Sequence, residues 1–219
     1  DDAEARLAAV EESLRDARAE RRETERDRRV ADAVAHMATL LPGVRGRVTD
    51  LATAAQRRHH LALAVVLGKD MDSVVVDSEA TAKECIAYLK SARLPPLTFI
   101  PVDTVRAKPV NERLRALGGS AKLALDLLTY EPGVERAVRA VCGDTLVCDS
   151  VDEARALAFA GPERHKVVAL DGTMISRAGL ITGGVTASME SRAARWDDRA
   201  LGELKAERAA LGEALAALP

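Results

Sequence analysis

The sequence predicts an α/β fold flanked by two long helical arms. Three observations lead to this class. A strand–helix–strand pattern whose strands end in Asp occurs twice in the middle of the chain, and a glycine-rich segment follows its second copy. Both ends of the chain are rich in Glu, Arg and Leu at helical spacing. Strands joined through helices are typical of α/β proteins with parallel pairing.

Residues 1–41 are predicted to form an N-terminal coiled-coil arm. This stretch contains neither Gly nor Pro, and its first apolar residues alternate at spacings of three and four, as in a coiled-coil seam. The seam weakens after Ala17, where Arg21 follows, and an apolar stripe resumes at Val30 in a shifted frame. The first seam consists of Leu7, Val10, Leu14 and Ala17, and the second stripe of Val30, Val34, Met37 and Leu41.

Residues 187–219 are predicted to form a C-terminal coiled-coil arm with the same rhythm. Its apolar positions are Leu201, Leu204, Leu211, Leu215 and Leu218. Two such arms around one middle favour a hairpin in which the chain enters along one helix and returns along an antiparallel partner. The alternative is two ordinary amphipathic helices packed against the domain.

Residues 42–103 form the first predicted subdomain. Its elements are a helix at Arg57–Leu67, a strand at Ser73–Val76, a helix at Glu79–Ser91 and a strand at Leu97–Val102. The dipeptide Asp77-Ser78 stands where the first strand meets the second helix, and its side chains can cap the exposed N–H groups of that helix.

Residues 121–186 form the second predicted subdomain, after a connecting segment at residues 104–120. Its elements are a helix at Gly133–Val141, a strand at Thr145–Cys148, a helix at Val151–Ala160 and a strand at Lys166–Leu170. Asp149-Ser150 takes the place of Asp77-Ser78. The repeat predicts two similar subdomains, each with parallel strands.

The glycine-rich segment follows the last of these strands. A short strand at Met174–Ile175 turns back, and Gly179, Gly183 and Gly184 come within six residues of β-forming side chains. Glycines in strands often mark a close approach of another backbone. A plain glycine-rich turn is the alternative.

Composition and motifs argue against catalysis and against base recognition. The net charge is −2, and two Phe, two Tyr and one Trp are too few for a base-stacking platform. No phosphate-binding loop, membrane-spanning apolar run or metal-type Cys/His spacing occurs, and the three cysteines are expected to be buried reduced thiols. Asp171-Gly172-Thr173 resembles part of an aspartate-phosphatase motif, but Ala169 replaces the nucleophile. We interpret Asp171 as closing a turn.

Several segments, in order along the middle of the chain, resemble the hinge of structural maintenance of chromosomes (SMC) proteins. They are LPGVRGRVTDL at 41–51, VLGKDMDSVVVDS at 66–78, TFIPVD at 98–103, VCDSVDEARALAF at 147–159 and VALDGTMISRAGLITGG at 168–184. Within that family the resemblance is greatest to the first SMC subunit of cohesin. It rests on TYEPGVERAVRAVCGDTLVCD at 129–149, RHKVVALDGT at 164–173 and ARW at 194–196.

The resemblance implies a non-catalytic dimerisation hinge at the end of a long antiparallel coiled coil. It implies pairing with the hinge of cohesin's third SMC subunit, in a ring that holds chromatids together in the nucleus. ATP and Mg²⁺ would bind a head domain outside this chain, which needs no cofactor itself. The interface would use Gly179, Leu180, Ile181, Gly183 and Gly184. A weak homodimer of the isolated chain is left open.

A nucleic-acid-binding role is the second hypothesis, because hinges of this family resemble gates through which DNA enters. Residues 42–186 carry 19 basic and 17 acidic side chains, so binding would be weak and would need a local patch. The candidate phosphate contacts are Arg57, Arg58, Lys122, Lys166 and Arg177. Scattered solvated charges, and a hinge from another SMC paralogue, are the alternatives that the sequence leaves open.

Overall fold

The computed structural model of the chain describes residues 24–159 and 161–216. These residues form an α/β fold in which two mixed sheets contribute to one common apolar core. The α/β class predicted from the sequence is therefore confirmed. No helix in the described ranges is both long and apolar enough to cross a membrane.

The first half of the chain forms a three-stranded sheet. In chain order its elements are α1 (24–40), β1 (Val44–Arg47), α2 (Val48–Leu51), β2 (Ala52–Ala54), α3 (His60–Leu67), β3 (Val74–Val76), α4 (Glu79–Ser91) and β4 (Phe99–Pro101). The sheet order is β1-β3-β4, with β3 and β4 parallel. The prediction for α4 is confirmed to the residue, whereas the helix predicted from Arg57 begins as a short 3₁₀ turn.

The second half repeats this plan and adds a hairpin. Its elements are β5 (Lys122–Leu123), β6 (Leu128–Tyr130), α5 (Glu135–Cys142), β7 (Leu146–Cys148), α6 (Val151–Phe159), β8 (Val167–Ala169), β9 (Met174–Ile175) and β10 (Ile181–Thr182), followed by α7 (Ala187–Ala216). The sheet order is β10-β9-β8-β7-β5. Strands β7 and β8 are parallel, like β3 and β4, which confirms the predicted internal repeat.

The Asp-Ser dipeptides cap helices as predicted. The Ser78 hydroxyl accepts a hydrogen bond from the Thr81 amide, and the Ser150 hydroxyl accepts one from the Glu153 amide, each at 3.2 Å. Asp171 instead accepts the Thr173 amide at 2.9 Å. This bond closes the turn between β8 and β9, as the turn interpretation of Asp171 required.

The halves are joined by a ladder that the sequence analysis missed. Strand β2 of the first half pairs antiparallel with β6 of the second, in the register Ala52↔Tyr130 to Ala54↔Leu128. The two strands are three residues long and far apart in sequence, so no local sequence pattern predicts their pairing. The predicted subdomain boundaries therefore divide a chain whose halves are connected by backbone hydrogen bonds.

Alternation along the strands sorts side chains between different cores. Val75 and Ile100 of the first sheet, with Val147 and Val168 of the second, belong to the common core. Their strand neighbours point the other way. Val74 and Val76 pack with residues of α1 and α4, whereas Leu146 and Cys148 pack with residues of α6. Each sheet is therefore covered on both faces.

A partly buried ionic cluster holds the roots of both helical arms. The Arg47 guanidinium contacts Asp27 of α1 at 2.5 Å and Asp50 of α2 at 2.8 Å. Arg195 of α7 contacts the same Asp27 at 3.2 Å and Asp72 at 2.7 Å. We refer to these five residues as the arm-root cluster.

Arg47 is the most enclosed member of the arm-root cluster. Only 7% of its side chain is exposed. Burial opposes its charge, but hydrogen bonds and attraction from Asp50 and Asp27 outweigh burial, and the pKa of Arg47 is raised above its ordinary value. Asp27 and Asp50 share the compensation of this buried charge, so losing both would be strongly destabilising.

Trp196 fixes α7 to the first half of the domain. The indole is almost fully buried in the common core, and its Nε1 donates hydrogen bonds to the carbonyl oxygens of Ala52 at 3.0 Å and Thr49 at 3.3 Å. Its ring packs against His60, with centroids 5.4 Å apart. The arm that leaves the second half is thus held by residues of the first.

The coiled-coil seam itself stays a prediction. Leu7, Val10, Leu14 and Ala17 lie outside the described residues, as does Leu218. The arms meet within the described ranges at the Asp27–Arg195 ion pair, where the second predicted stripe is buried at Val30, Val34 and Met37. In the returning helix, Leu201 is exposed.

The three cysteines, Cys85, Cys142 and Cys148, are free and buried, as predicted. Burial raises the pKa of all three thiols, to about 12 for Cys142 and about 11 for Cys148. Desolvation penalises the thiolate, so these groups act as small apolar side chains.

Replacing Trp196 with Ala should lower the free energy of unfolding by about 3–5 kcal/mol, because a large buried side chain and its two hydrogen bonds are lost. Urea unfolding followed by circular dichroism measures this change. Ile86 is partly exposed on α4, and its change to Ala should cost within about 0.5 kcal/mol. Equal effects of the two substitutions would contradict the anchoring role of Trp196.

The thiols should resist a disulfide reagent at about pH 8 in the folded state, because the thiolate is the reactive species. A thiol with a pKa of about 11 is ionised in roughly one molecule in a thousand at that pH. Above the ordinary thiol pKa, the unfolded state loses its thiol protons before the folded state does. These groups therefore lower the free energy of unfolding as pH rises from the ordinary pKa to the raised pKa of the folded state. Rapid labelling without denaturant would refute this assignment.

Candidate interface and cationic surface

The hairpin of β9 and β10 forms one edge of the five-stranded sheet. Ile181 pairs with Ile175 and Thr182 with Met174. On its outer side β10 has no partner strand among the described residues. An unpaired edge exposes backbone N–H and C=O groups that can hydrogen-bond to another strand.

The predicted interface residues lie together on this edge, and Leu180 and Ile181 are 70% and 54% exposed. Two further apolar side chains join them, and sequence reasoning missed both: Phe159 at the end of α6 and Val185 after β10. We refer to Phe159, Leu180, Ile181 and Val185 as the hairpin patch. Arg164 lies over the Phe159 ring, 5.0 Å from its centroid.

The three predicted glycines have different local roles. Gly179 closes the hairpin: its amide donates to the Ser176 carbonyl at 2.9 Å, and its φ of +87° favours glycine. A Cβ added there would lie 3.4 Å from the Phe159 ring. The turn interpretation that the sequence left open therefore applies to Gly179.

Gly183 and Gly184 lie beyond β10 in open surroundings. A Cβ on Gly184 would meet no described atom within 4 Å, and one on Gly183 would meet only the Thr173 hydroxyl, at 3.8 Å. Gly184 has a φ of +95°, which a side chain would strain, whereas Gly183 does not have a positive φ. Packing within this chain does not explain the lack of a side chain at Gly183.

The candidate DNA contacts do not form one patch. Lys166 precedes β8, and Arg177 follows β9, at the end of the sheet where β7 begins. Arg58 lies 3.9 Å from Asp149, at the other end of β7. Asp149 and the Asp144 that faces Arg177 are five residues apart, up to about 16 Å along an extended strand.

Carboxylates offset part of this positive charge. Arg177 lies 3.6 Å from Asp144, and Arg57 lies 3.3 Å from Asp197 of α7. Lys122 of β5 and Lys166 have no ion pair with described residues. These exposed pairs contribute little to stability, and they weaken the local field that a phosphate would feel.

The histidines next to Arg58 are buried. Burial lowers the pKa of His59, and the positive charges of Arg58 and Lys122 lower it further. Its Nε2 accepts a hydrogen bond from Arg58 at 3.2 Å.

In the described ranges no group of three or more His, Cys, Asp or Glu side chains could hold a metal ion.

Sequence reasoning also missed three cations that accompany Arg177. Arg106 and Lys108 of the connecting segment and Arg139 of α5 line one cavity with it. The connecting segment carries no recognisable motif, so only the folded chain brings these side chains together.

Comparison with known proteins agrees with this architecture. Residues 41–158, more than half of the chain, match the sequence family "SMC proteins Flexible Hinge Domain". The chain is 48% identical over 91% of its length to structural maintenance of chromosomes protein 1 of Arabidopsis thaliana, but spans only 16% of that protein.

Solved structures of an SMC hinge domain and of cohesin contain a similar fold. The asymmetric dimer of the Geobacillus stearothermophilus SMC hinge domain superimposes with a TM-score of 0.66 at 30% identity, covering 98% of this chain and 92% of that one. The folded elbow of cohesin gives a TM-score of 0.70 at 30% identity over 93% of this chain and 31% of that one. Sequence family and fold thus agree with the resemblance drawn from the motifs, and the chain belongs to the SMC hinge-domain family.

Proposed function

We propose that the chain is the dimerisation hinge of the first SMC subunit of cohesin. The observation that carries this is an edge strand, β10, that has no outer partner among the described residues and is flanked by the hairpin patch and by Gly183 and Gly184, where an added Cβ would meet at most the Thr173 hydroxyl. A strand added to such an edge gains main-chain hydrogen bonds, and the patch supplies apolar contact.

The comparisons support pairing with a second hinge. A relative with the same fold is described as a hinge-domain dimer, and another structure with this fold belongs to cohesin. The partner we propose is the hinge of cohesin's third SMC subunit. Their union would close a ring that holds sister chromatids on chromosomes in the nucleus and would act as a gate through which DNA enters.

The proposed role in this chain is non-catalytic. ATP hydrolysis with Mg²⁺ would belong to a head domain elsewhere in the full-length protein. The domain limits that we propose remain 1–41 and 187–219 for the arms, 42–103 and 121–186 for the subdomains, and 104–120 for the connecting segment.

Gly183→Lys is the sharpest test of pairing at β10. The substitution should weaken binding to the partner hinge at least about tenfold, because it would bury a lysine charge in the proposed contact next to β10. Gly183 has no positive φ, so the monomer should keep its unfolding midpoint. Isothermal titration calorimetry and light scattering measure affinity and mass.

The matched control is Gly133→Lys, since Gly133 is exposed, has no positive φ and would meet no described atom within 4 Å. It should leave affinity unchanged. Leu180→Glu tests the hairpin patch independently and should weaken pairing without unfolding the chain. Wild-type affinity in both the Gly183 and the Leu180 variants would refute pairing at this edge.

A second function, weak DNA binding without sequence preference, is favoured by the grouping of Lys166 and Arg177 at one end of the sheet. Reversing both charges should reduce the slope of log affinity against log salt by about 2, because two phosphate contacts are lost. Fluorescence anisotropy with two unrelated duplexes measures the slope.

The control for this experiment is charge reversal at Arg58 and Lys122, which lie toward the other end of β7. A larger loss of DNA affinity in the Arg58 and Lys122 variant would indicate that DNA contacts that end of β7 instead. A strong preference for one duplex that persists at high salt would contradict phosphate binding altogether.

A further inference from the structure

A cavity of about 280 Å³ opens between the connecting segment and the second half of the chain. Its charged lining consists of Arg106, Lys108, Arg139, Asp144 and Arg177. None of the residues of β10 or of the hairpin patch lines it, so its use does not depend on the proposed pairing.

The lining has an unbalanced charge. Four cations face the cavity with one carboxylate, and that carboxylate, Asp144, already lies 3.6 Å from Arg177. Arg106 and Lys108 form no ion pair with described residues. Cations gathered without counter-charges repel one another, and an anion placed among them removes that repulsion.

Arg139 supplies a donor without an acceptor. Its side chain is 26% exposed and one terminal nitrogen contacts Glu135 at 3.2 Å, but its Nε is buried and has no hydrogen-bond partner in the described structure. Leaving a buried guanidinium N–H unsatisfied is costly. The exposed part of Arg139 lines the cavity and places its positive charge next to any anion bound there.

We propose that this cavity binds a small phosphate-bearing anion, with the guanidinium of Arg139 donating to a non-bridging oxygen and Lys108 and Arg106 neutralising the remaining charge. Guanidinium groups match phosphate geometry better than ammonium groups do. The cavity has the volume of roughly nine water molecules, which suits an inorganic oligophosphate. A DNA backbone phosphate presents the same oxygens and is the other source of this chemistry.

The apolar part of the lining strengthens the case. Val110, Leu123 and Leu125 also face the cavity, and Leu123 and Leu125 are buried. Apolar walls lower the local dielectric constant, so each ionic hydrogen bond formed there is stronger than on an open surface.

Titration calorimetry of the whole chain with sodium tripolyphosphate, at constant ionic strength, tests the proposal. We expect saturable binding that Lys108→Glu weakens at least about tenfold, because one attraction becomes a repulsion. Arg139→Lys keeps the charge but removes the planar guanidinium, and it should weaken binding as well. Lys90→Glu, at an exposed position of α4 outside the cavity, is the matched control and should change nothing.

The same variants identify the source of the phosphate. If Lys108→Glu weakens tripolyphosphate but leaves duplex DNA affinity unchanged, the site takes a free oligophosphate. If both affinities fall together, the cavity receives a backbone phosphate of DNA. Absence of saturable tripolyphosphate binding, or equal binding by the wild type and both cavity variants, would overturn the proposal whatever the outcome for hinge pairing.

Discussion

The common apolar core is the constraint on which the rest of the structure depends. Valines of β3 in one sheet and of β7 and β8 in the other bury side chains in the same layer, with Trp196 of the returning arm among them. A domain of about 60 residues buries a small share of its surface and is only marginally stable, so sharing one core stabilises both halves. The β2–β6 ladder adds backbone hydrogen bonds to this union.

The shared core also decides how the two ends of the molecule communicate. The arms are held by the first half, through the arm-root cluster and the indole of Trp196. The proposed pairing edge, β10, belongs to the sheet of the second half. Force along the N-terminal arm would therefore reach a paired partner across the common core and the β2–β6 ladder, whereas α7 is also connected to β10 directly through residues 183–186. A packed interior is rigid enough to transmit such a load, because it has few voids in which to yield.

In the proposed function, the glycine-rich motif of the hairpin serves two needs. Gly179 is required by the turn, since its φ is positive and its amide closes the hairpin. Gly183 has no such requirement, yet its outer side is open. A surface that combines a bare strand edge with exposed Leu180 and Ile181 would favour aggregation if nothing covered it. A specific partner strand is the simplest way for the chain to avoid that outcome.

The sequence by itself determined the elements whose signals are local. The Asp-Ser caps, the repeated strand–helix–strand units and the β9 strand follow from neighbouring residues, because capping and alternation act over a few positions. The family motifs located the hairpin edge. Only the tertiary structure decided what depends on distant residues. Residues dozens of positions apart meet in the β2–β6 ladder and in the arm-root cluster. The same long-range folding separates Lys166 and Arg177 from Arg58, and it groups Arg139 with Arg106 and Lys108. Such contacts form only when the common core folds the chain back on itself, and no short-range pattern encodes them.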